Sequence, residues 1–387
     1  MSRYHSYLNS AKQILSIYNG NEPFASFLKK YFSEHKKYGS KDRKQIGHLC
    51  YCYFRTGKSL PNLTVEEKIV AGQFLCSTKP NEILSALKPE WNGKADLSIA
   101  EKFSILNSQV SSVFPWKDQL SNGIDHGKFC ESFFQQPDLF LRLRPGKEKI
   151  VQEKLQRASI DFKTVLDSCI ALDNSTKIDS IIELDKEAVV QDLSSQQTGN
   201  YIKLAMGNLQ LPINTWDCCA GSGGKSIMLY DLDPKIKLTV SDVRESILAN
   251  LKKRFESAGI NNYKSLILDL TKSSKQNIGN FDLIIADVPC TGSGTWSRTP
   301  EQLFYFDDQS IEQFSNLQKK IVSNVIPHLQ ASGYFLYITC SVFKKENEEV
   351  VEFIKEKFNL ESIKNEVLKG YDKKADTMFA ALLKKNL

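Results

Sequence analysis

Short apolar runs alternate with segments of helical periodicity from about Val189 to the carboxyl terminus. The runs are INTWDC, KLTVSD, SLILD, FDLIIAD and YFLYIT. Strands that are apolar on both faces and separated by helices form parallel sheets with crossover connections. The pattern therefore predicts a doubly wound α/β domain over residues 189–387.

The chain before this domain shows two other patterns. Up to about residue 130, apolar residues recur at helical spacing, as in Ala11, Ile14 and Leu15, and glycine or proline separates the segments. Residues 131–188 combine a strand-like alternation, LFLRLRP, with a helical stretch, EKIVQEKLQRAS, and short apolar runs. We therefore predict a helical bundle over residues 1–130 and a small α/β subdomain over residues 131–188.

The composition is that of a globular protein, with 41% hydrophobic and 25% charged residues among 387. No apolar run approaches the roughly 20 residues of a membrane-spanning helix, and the first residues lack the apolar stretch of a signal peptide. We expect a cytoplasmic monomer without membrane contact. The nine cysteines are an odd number, and Cys218 and Cys219 are adjacent rather than spaced as zinc ligands. Reduced thiols, no disulfide framework and no metal are therefore expected.

Positive charge is concentrated near the amino terminus. The first sixty residues hold eleven Lys and Arg against three Asp and Glu, whereas the net charge of the whole chain is +6. Such a field attracts a polyanion. A solvated helical surface whose lysines serve solubility is the alternative, and charge alone does not name the partner.

A glycine-rich loop follows the first predicted strand of the doubly wound domain and precedes a helix. It comprises Cys219, Ala220, Gly221, Ser222, Gly223, Gly224 and Lys225. Glycines here let backbone N–H groups approach a ligand at the carboxyl edge of the sheet. A Walker loop needs glycine where Cys219 stands, and a dinucleotide fingerprint needs glycine at Ser226, so ATP and NAD are disfavoured.

Two carboxylates end the next apolar runs. Asp242 lies about 20 residues beyond the glycines, where a carboxylate can accept hydrogen bonds from both hydroxyls of an adenosine ribose. Asp269 ends the third run and could meet the adenine amino group or the methionine end of such a ligand. Each acid could instead cap a helix or a loop. Together they favour S-adenosylmethionine as the cofactor.

Two cysteines follow apolar runs at the same edge. Cys290 lies in DVPCTGSG, which starts at Asp287 as FDLIIAD ends, and Cys340 lies in TCS at the end of GYFLYIT. A lone cysteine is usually a small buried hydrophobe. Because the carboxyl ends of neighbouring parallel strands meet at one edge, we expect these two thiols to flank one pocket.

These motifs resemble those of the RsmB/NSUN family of RNA 5-methylcytosine methyltransferases. The resemblance covers residues 189–387 and rests on QDLSSQ at 191–196, the glycine-rich loop, DVPCTG, and TCS followed by ENE at 346–348. More weakly, residues 24–57 look like the helical NusB-type RNA-binding domain of the RsmB branch. The resemblance implies a Rossmann-like class I methyltransferase domain, preceded by the small α/β subdomain and an all-helical NusB-like domain.

The resemblance also implies roles for residues. Cys340 supplies the thiolate that adds to C6 of a cytosine, Cys290 assists release, and Asp287 holds the N3 and N4 edge of the base beside the cofactor. Lys225 is the candidate for a positive group that favours the Cys340 thiolate. Small-subunit ribosomal RNA is the favoured substrate. Transfer RNA and a catalytically silent RNA-binding assembly factor remain alternatives.

The chain departs from the family pattern in three places. The family usually has Pro at Ser222, Arg at Ile247, and Gly-Phe-Phe at Thr377-Met378-Phe379. The first change alters the stiffness of the loop, the second removes one cofactor contact, and the third alters how the final hairpin sits beside the pocket. None of them removes a catalytic group.

Overall fold

The computed structural model describes residues 3–272 and 278–386. Its helices, in chain order, are α1 (Arg3–Ile17), α2 (Phe24–Glu34), α3 (Ser40–Arg55), α4 (Val65–Cys76), α5 (Glu82–Leu87), α6 (Pro89–Asn92), α7 (Ile99–Ile105), α8 (His126–Ser132), α9 (Glu148–Arg157), α10 (Leu193–Met206), α11 (Gly224–Leu232), α12 (Glu245–Ala258), α13 (Pro300–Tyr305), α14 (Gln309–Val325) and α15 (Glu348–Phe358). In the described ranges, no helix is both long enough and apolar enough to span a bilayer.

The strands form two separate sheets. They are β1 (Leu139–Leu143), β2 (Phe162–Leu166), β3 (Cys169–Leu172), β4 (Ala188–Val190), β5 (Asn214–Asp217), β6 (Lys237–Asp242), β7 (Tyr263–Ile267), β8 (Phe281–Asp287), β9 (Leu329–Thr339), β10 (Leu360–Leu368) and β11 (Met378–Lys385). The smaller sheet has the order β2-β3-β1-β4, and the larger one has the order β10-β11-β9-β8-β5-β6-β7.

The chain divides into two compact units. The first, called the helical unit here, comprises Met1–Leu120, Ile124–Gln136 and Thr295–Asp307. The second, called the α/β unit, comprises Ser121–Gly123, Pro137–Gly294 and Asp308–Leu387. The segment directly after the DVPCTGSG motif thus belongs to the helical unit, although the motif itself belongs to the α/β unit.

The helical unit contains α1–α8 and α13, and the described residues add no strand to it. Local sequence explains where its helices begin. At α4, for example, the Thr64 hydroxyl accepts a hydrogen bond from Glu67 N–H, and the Glu67 carboxylate accepts one from Thr64 N–H. A buried core that includes Ile14, Phe24 and Phe54 joins the first helices. The helical spacing in the sequence is confirmed here, whereas the NusB-like character stays a prediction.

The smaller sheet of the α/β unit is antiparallel and packs against α9 through Val151 and Leu155. Two arginines of this subdomain reach α11. Arg142 and Arg144 both pair with Asp231, and the Arg144 contact measures 2.7 Å. All three side chains are nearly buried, so the ion pairs are little screened by solvent.

The larger sheet confirms the predicted Rossmann-like α/β domain. Strands β9, β8, β5, β6 and β7 are parallel, and β10 and β11 form an antiparallel edge. Strand β8 is almost wholly buried, as its continuous apolar run requires. Strand β5 lies between β6 and β8, so the chain order reverses beside it. Ligands of open α/β sheets bind outside the carboxyl ends of the strands at such a reversal.

Candidate active site

The glycine-rich loop connects β5 to α11 at this reversal. Gly221 and Gly223 have φ values of +52° and +86°, in the left-handed region that favours glycine. A Cβ on Gly223 would lie 2.7 Å from the Phe255 ring, so this glycine lets α12 pack against the loop. A Cβ on Gly221 or Gly224 would meet no atom within 4 Å. The loop therefore packs on one side and leaves space for a ligand on the other.

A cavity of about 590 Å³ lies at the carboxyl ends of the central strands. This volume is typical of cofactor sites. Seven of the residues predicted from the sequence line it: Cys219, Gly221, Asp242, Asp269, Asp287, Cys290 and Cys340.

An adjoining cavity of about 280 Å³ accounts for most of the remaining predicted residues. Its lining includes Cys219, Ala220, Gly221, Ser222, Gly224, Lys225 and Asp287. Gly223 lines neither cavity, because it faces α12. Apart from this glycine, the structure brings the predicted cofactor and catalytic residues together at one edge of the sheet.

Asp242 is held at the mouth of the larger cavity as a carboxylate. It accepts hydrogen bonds from Gly221 N–H at 3.1 Å and from the backbone and side chain of Arg244 at 3.0 Å each. Burial opposes its ionisation, but the Arg244 guanidinium and these N–H donors outweigh that effect and lower the pKa of Asp242. An ionised carboxylate at this place is suited to accept hydrogen bonds from ribose hydroxyls.

The contacts of Asp269 fit the alternative interpretation, in which this carboxylate caps a loop. Its carboxylate accepts hydrogen bonds from the Thr271 hydroxyl at 2.6 Å and from Thr271 N–H at 3.1 Å, and it pairs with Lys272 at 2.9 Å. The Thr271 hydroxyl, together with Lys272, lowers the pKa of Asp269 to about 2. Asp269 lines the cavity, yet these contacts lie within three residues and stabilise its own turn.

Asp217, the last residue of β5, is a site residue that the sequence reasoning missed. It is fully buried, and one carboxylate oxygen accepts a hydrogen bond from the Ser226 hydroxyl at 2.6 Å. The other oxygen, Oδ1, is buried without a hydrogen-bond partner among the described residues. Burial raises the pKa of Asp217 to about 7. A carboxylate that ends an apolar strand directly before a glycine-rich loop was the available signal.

These features suit a nucleoside that also carries a cationic group. Asp242 offers acceptors for hydroxyls, and Val243, which is 57% exposed, offers apolar surface beside the same cavity. Asp217 also lines the smaller cavity, so it adds a buried carboxyl group beside that space. Among the described residues, no cluster of three or more His, Cys, Asp or Glu side chains could hold a metal ion.

The two predicted thiols are direct neighbours. The backbone N–H of Cys340 donates to Cys290 Sγ at 3.3 Å. Interaction with the Cys290 thiol raises the pKa of the Cys340 thiol well above its usual value, and burial and the Asp287 carboxylate act in the same direction. The Cys340 thiol is therefore less acidic at this place than a free cysteine thiol.

Lys225 favours the Cys340 thiolate, as the sequence predicts, but other groups outweigh its effect. Its ammonium group lies 2.6 Å from the Asp287 carboxylate, and its side chain is only 10% exposed. Burial disfavours the charge, but Asp287 overcomes that effect and raises the pKa of Lys225. The ammonium does act to lower the pKa of Cys340, yet the opposing effects are larger.

Glu346 joins the two loops that carry the thiols. Its buried carboxylate accepts hydrogen bonds from Thr291 N–H at 2.9 Å, the Thr291 hydroxyl at 2.6 Å, the Ser341 hydroxyl at 2.6 Å and the Gln318 amide at 3.0 Å. Burial raises the pKa of Glu346, although these donors oppose the shift. Thr291 follows Cys290 and Ser341 follows Cys340, so one carboxylate fixes both thiols relative to each other.

Gly294 and Thr377 close the other side of these loops. Gly294 N–H donates to Cys340 O at 2.8 Å, and Gly294 O accepts from Thr377 N–H at 2.9 Å. A Cβ on Gly294 would lie 1.8 Å from Thr377 O, so no larger residue fits. The departure at Thr377 therefore preserves a backbone contact of the loop that carries Cys290. The buried Thr377 hydroxyl accepts hydrogen bonds from Gly370 and Tyr371 N–H.

The carboxy-terminal part of the chain is similar in sequence to known methyltransferases. Residues 206–383 match the family model described as 16S rRNA methyltransferase RsmB/F. The chain is 30% identical over 171 residues to ribosomal RNA small subunit methyltransferase B of Enterobacter sp. (strain 638), covering 44% of this chain and 39% of that protein. It is 27% identical over 255 residues to the protein of the same name from Xylella fastidiosa (strain 9a5c), covering 63% and 59% respectively.

Solved structures share the fold at low sequence identity. The crystal structure of PH0851 superimposes with a TM-score of 0.71 at 17% identity, covering 99% of this chain and 98% of that chain. NSun6 from Pyrococcus horikoshii with SFG gives a TM-score of 0.58 at 15% identity, covering 67% and 94%. The chain spans between 39% and 59% of the length of the two curated relatives. Residues 206–383 are thus similar to the methyltransferase domain of the RsmB/F family, in agreement with the motifs.

Proposed function

We propose that this protein transfers a methyl group from S-adenosylmethionine to C5 of a cytosine in RNA, with small-subunit ribosomal RNA as the substrate. The observation that carries the proposal is the hydrogen-bonded pair Cys290 and Cys340 beside the 590 Å³ cavity. The names of the curated relatives, which are ribosomal RNA methyltransferases, support the choice of RNA.

S-adenosylmethionine, when bound, supplies an electrophilic methyl group. Asp242 would accept hydrogen bonds from the ribose hydroxyls, and the Asp217 carboxyl group, which lines the smaller cavity, would lie on the side of the ammonium group. The open backbone at Gly221 and Gly224 would lie along the ligand. The proposed place of Asp269 is beside the adenine, where it lines the cavity.

Cytosine C5 is a weak nucleophile, so a group of the protein must first raise its electron density. Cys340 Sγ bonds to C6 after losing its proton, and the electron pair displaced from the C5–C6 bond makes C5 nucleophilic. Asp287 holds the N3 and N4 edge. After methylation, C5 loses its proton with the assistance of Cys290, the C6–S bond breaks, and the Cys340 thiolate leaves. The target base has to be unstacked to reach both thiols.

The helical unit offers a surface for the RNA backbone. A groove of about 810 Å³ in this unit is lined by Lys41, Lys44 and Lys79, and in the part of the chain that the structure describes none of these lysines forms an ion pair. The groove also contains Arg3, Asp42 and Glu82, and Arg3 forms an ion pair with Glu82. Its four cationic side chains outnumber its two carboxylates, which favours the polyanion interpretation of the amino-terminal lysines.

The reaction is tested by incubating the protein with isotope-labelled S-adenosylmethionine and ribosomal RNA, small-subunit precursor or transfer RNA, followed by nucleoside mass spectrometry. We expect 5-methylcytidine in the ribosomal substrates, none with Cys340→Ala, and normal product with Cys169→Ala, whose thiol is buried in β3. Product in transfer RNA alone would reassign the substrate, and no 5-methylcytidine in any RNA would overturn the proposal.

The groove is tested with the variant Lys41→Glu/Lys44→Glu. We expect its RNA affinity to fall about tenfold, because two cations that face the RNA backbone are lost. The slope of log affinity against log salt concentration should become shallower by an amount equal to roughly one to two phosphate contacts. Lys149→Glu is the matched control, since this side chain is 93% exposed on α9. Equal losses in both variants, or no loss in the first, would return the lysines to a role in solubility.

The raised pKa of Cys340 predicts an alkaline pH dependence. A thiol with a pKa above its usual value loses its proton only as the pH rises, so kcat/KM should increase from neutral pH into the alkaline range. Lys225→Met removes the cation that opposes this shift, so the rise should move to higher pH. Lys235→Met, an exposed lysine before β6, should leave the profile unchanged. A rise that stays in place or moves to lower pH in Lys225→Met would contradict this electrostatic role.

A further inference from the structure

The glycine-rich loop is held in place by a side chain from another element. Glycines with positive φ flank Ser222 on both sides, so the backbone around it has few intrinsic restraints. Arg254 of α12 supplies the restraint. Its Nη1 donates to the Ser222 carbonyl at 2.9 Å and to the Ser222 hydroxyl at 3.0 Å.

Arg254 is itself fixed by the small subdomain. Its Nε and Nη2 donate to the two carboxylate oxygens of Asp185 at 2.9 Å and 2.6 Å. The two side chains are 19% and 14% exposed, so water competes little for this ion pair. A bidentate contact of this kind sets the plane of the guanidinium, which leaves Nη1 directed at the loop.

Asp185 has an unusual backbone conformation for this contact. Its φ is +64°, which L-residues other than glycine, Asn and Asp seldom adopt. Two contacts hold it there, because Asp185 N–H donates to Ala188 O at 2.8 Å and Arg144 donates to Asp185 O at 3.0 Å. Arg144 forms an ion pair with Asp231 of α11, the helix that follows the glycine-rich loop. A strained residue persists where its surroundings fix it, and such residues concentrate at functional sites.

We propose that Asp185 and Arg254 are positioning residues for cofactor binding, so that the small subdomain sets the shape of the cofactor loop. This inference rests on the proposed binding of S-adenosylmethionine at the loop. Ser222 is adjacent to Gly221, whose N–H donates to the Asp242 carboxylate at 3.1 Å. A shift of Ser222 therefore disturbs both the open backbone at Gly221 and the carboxylate that is assigned to the ribose.

The connection is tested by calorimetric titration of S-adenosylmethionine into the full chain and by steady-state kinetics. Arg254→Gln and Asp185→Asn should each raise the Kd and the KM for S-adenosylmethionine about tenfold, as expected for the loss of a charge-assisted contact. The kcat at saturating cofactor should stay within about twofold, because neither residue touches the reacting groups. Asparagine keeps the size of aspartate and tolerates the left-handed conformation.

The double variant distinguishes a relay from two independent effects. Because Asp185 acts through Arg254, the double variant should bind no more weakly than Arg254→Gln alone. Arg254→Lys keeps a positive charge that can pair with Asp185 but loses the guanidinium Nη1 that contacts Ser222. Its Tm should therefore stay near that of the wild type while its KM for S-adenosylmethionine rises. The matched control is Lys186→Gln at the position next to Asp185. This variant removes an exposed ion pair with Glu183 and should leave the Kd and the KM for S-adenosylmethionine unchanged.

The outcomes separate this inference from the proposed function. If Asp242→Ala weakens the binding of S-adenosylmethionine but Arg254→Gln and Arg254→Lys do not, the inference is overturned and the cofactor assignment is kept. Additive losses in the double variant would also overturn it. A wild-type protein that does not bind S-adenosylmethionine would overturn the proposed function, and with it the role of Arg254.

Discussion

Parallel pairing of four neighbouring strands, β9, β8, β5 and β6, is the constraint on which the site depends. Strands that run in one direction end at one edge, so residues far apart in sequence meet there without any local motif joining them. Cys340 follows β9, Asp287 ends β8, the glycine-rich loop follows β5 and Asp242 ends β6. The reversal of chain order beside β5 opens the crevice between them.

The site also places ionisable groups where burial disfavours charge. Burial raises the pKa values of Asp217 and Glu346, and burial together with the neighbouring thiol does so for Cys340. Lys225 keeps its charge because the Asp287 carboxylate lies 2.6 Å away. The site thus places the Cys340 thiol next to one ion pair. In the proposed mechanism, removal of the thiol proton is therefore a step that the bound substrate and its surroundings have to promote.

The local pattern of the sequence predicted the parallel strands of the larger sheet and most of the cavity lining, because both follow from the apolar runs and the places where they end. Each of the five apolar runs from residue 213 onward contains or overlaps a strand, and Cys290 and Cys340 line one cavity. Long-range contacts were beyond this reasoning. Nothing near Arg254 in sequence indicates Asp185 as its partner, and no periodicity shows that Thr295–Asp307 belongs to the helical unit.

Electrostatic balance was the other limit. The sequence indicated Lys225 as a group that could ionise Cys340, and the sign of that effect is correct. Its size relative to burial, the neighbouring thiol and Asp287 depends on distances that only the fold supplies. Asp217 was missed for a related reason, since its free oxygen is visible only after the partners of the whole loop are known.

The most direct measurement concerns the division of labour between the two thiols. Labelled RNA is incubated with S-adenosylmethionine and with Cys290→Ala or Cys340→Ala, and the protein is then separated on a denaturing gel. Cys290→Ala retains the attacking thiol but is impaired in release, so a covalent protein–RNA complex carrying the methyl group should accumulate. Cys340→Ala cannot form the bond to C6, so no complex should appear. A complex trapped only in Cys340→Ala would contradict the assignment and exchange the two roles.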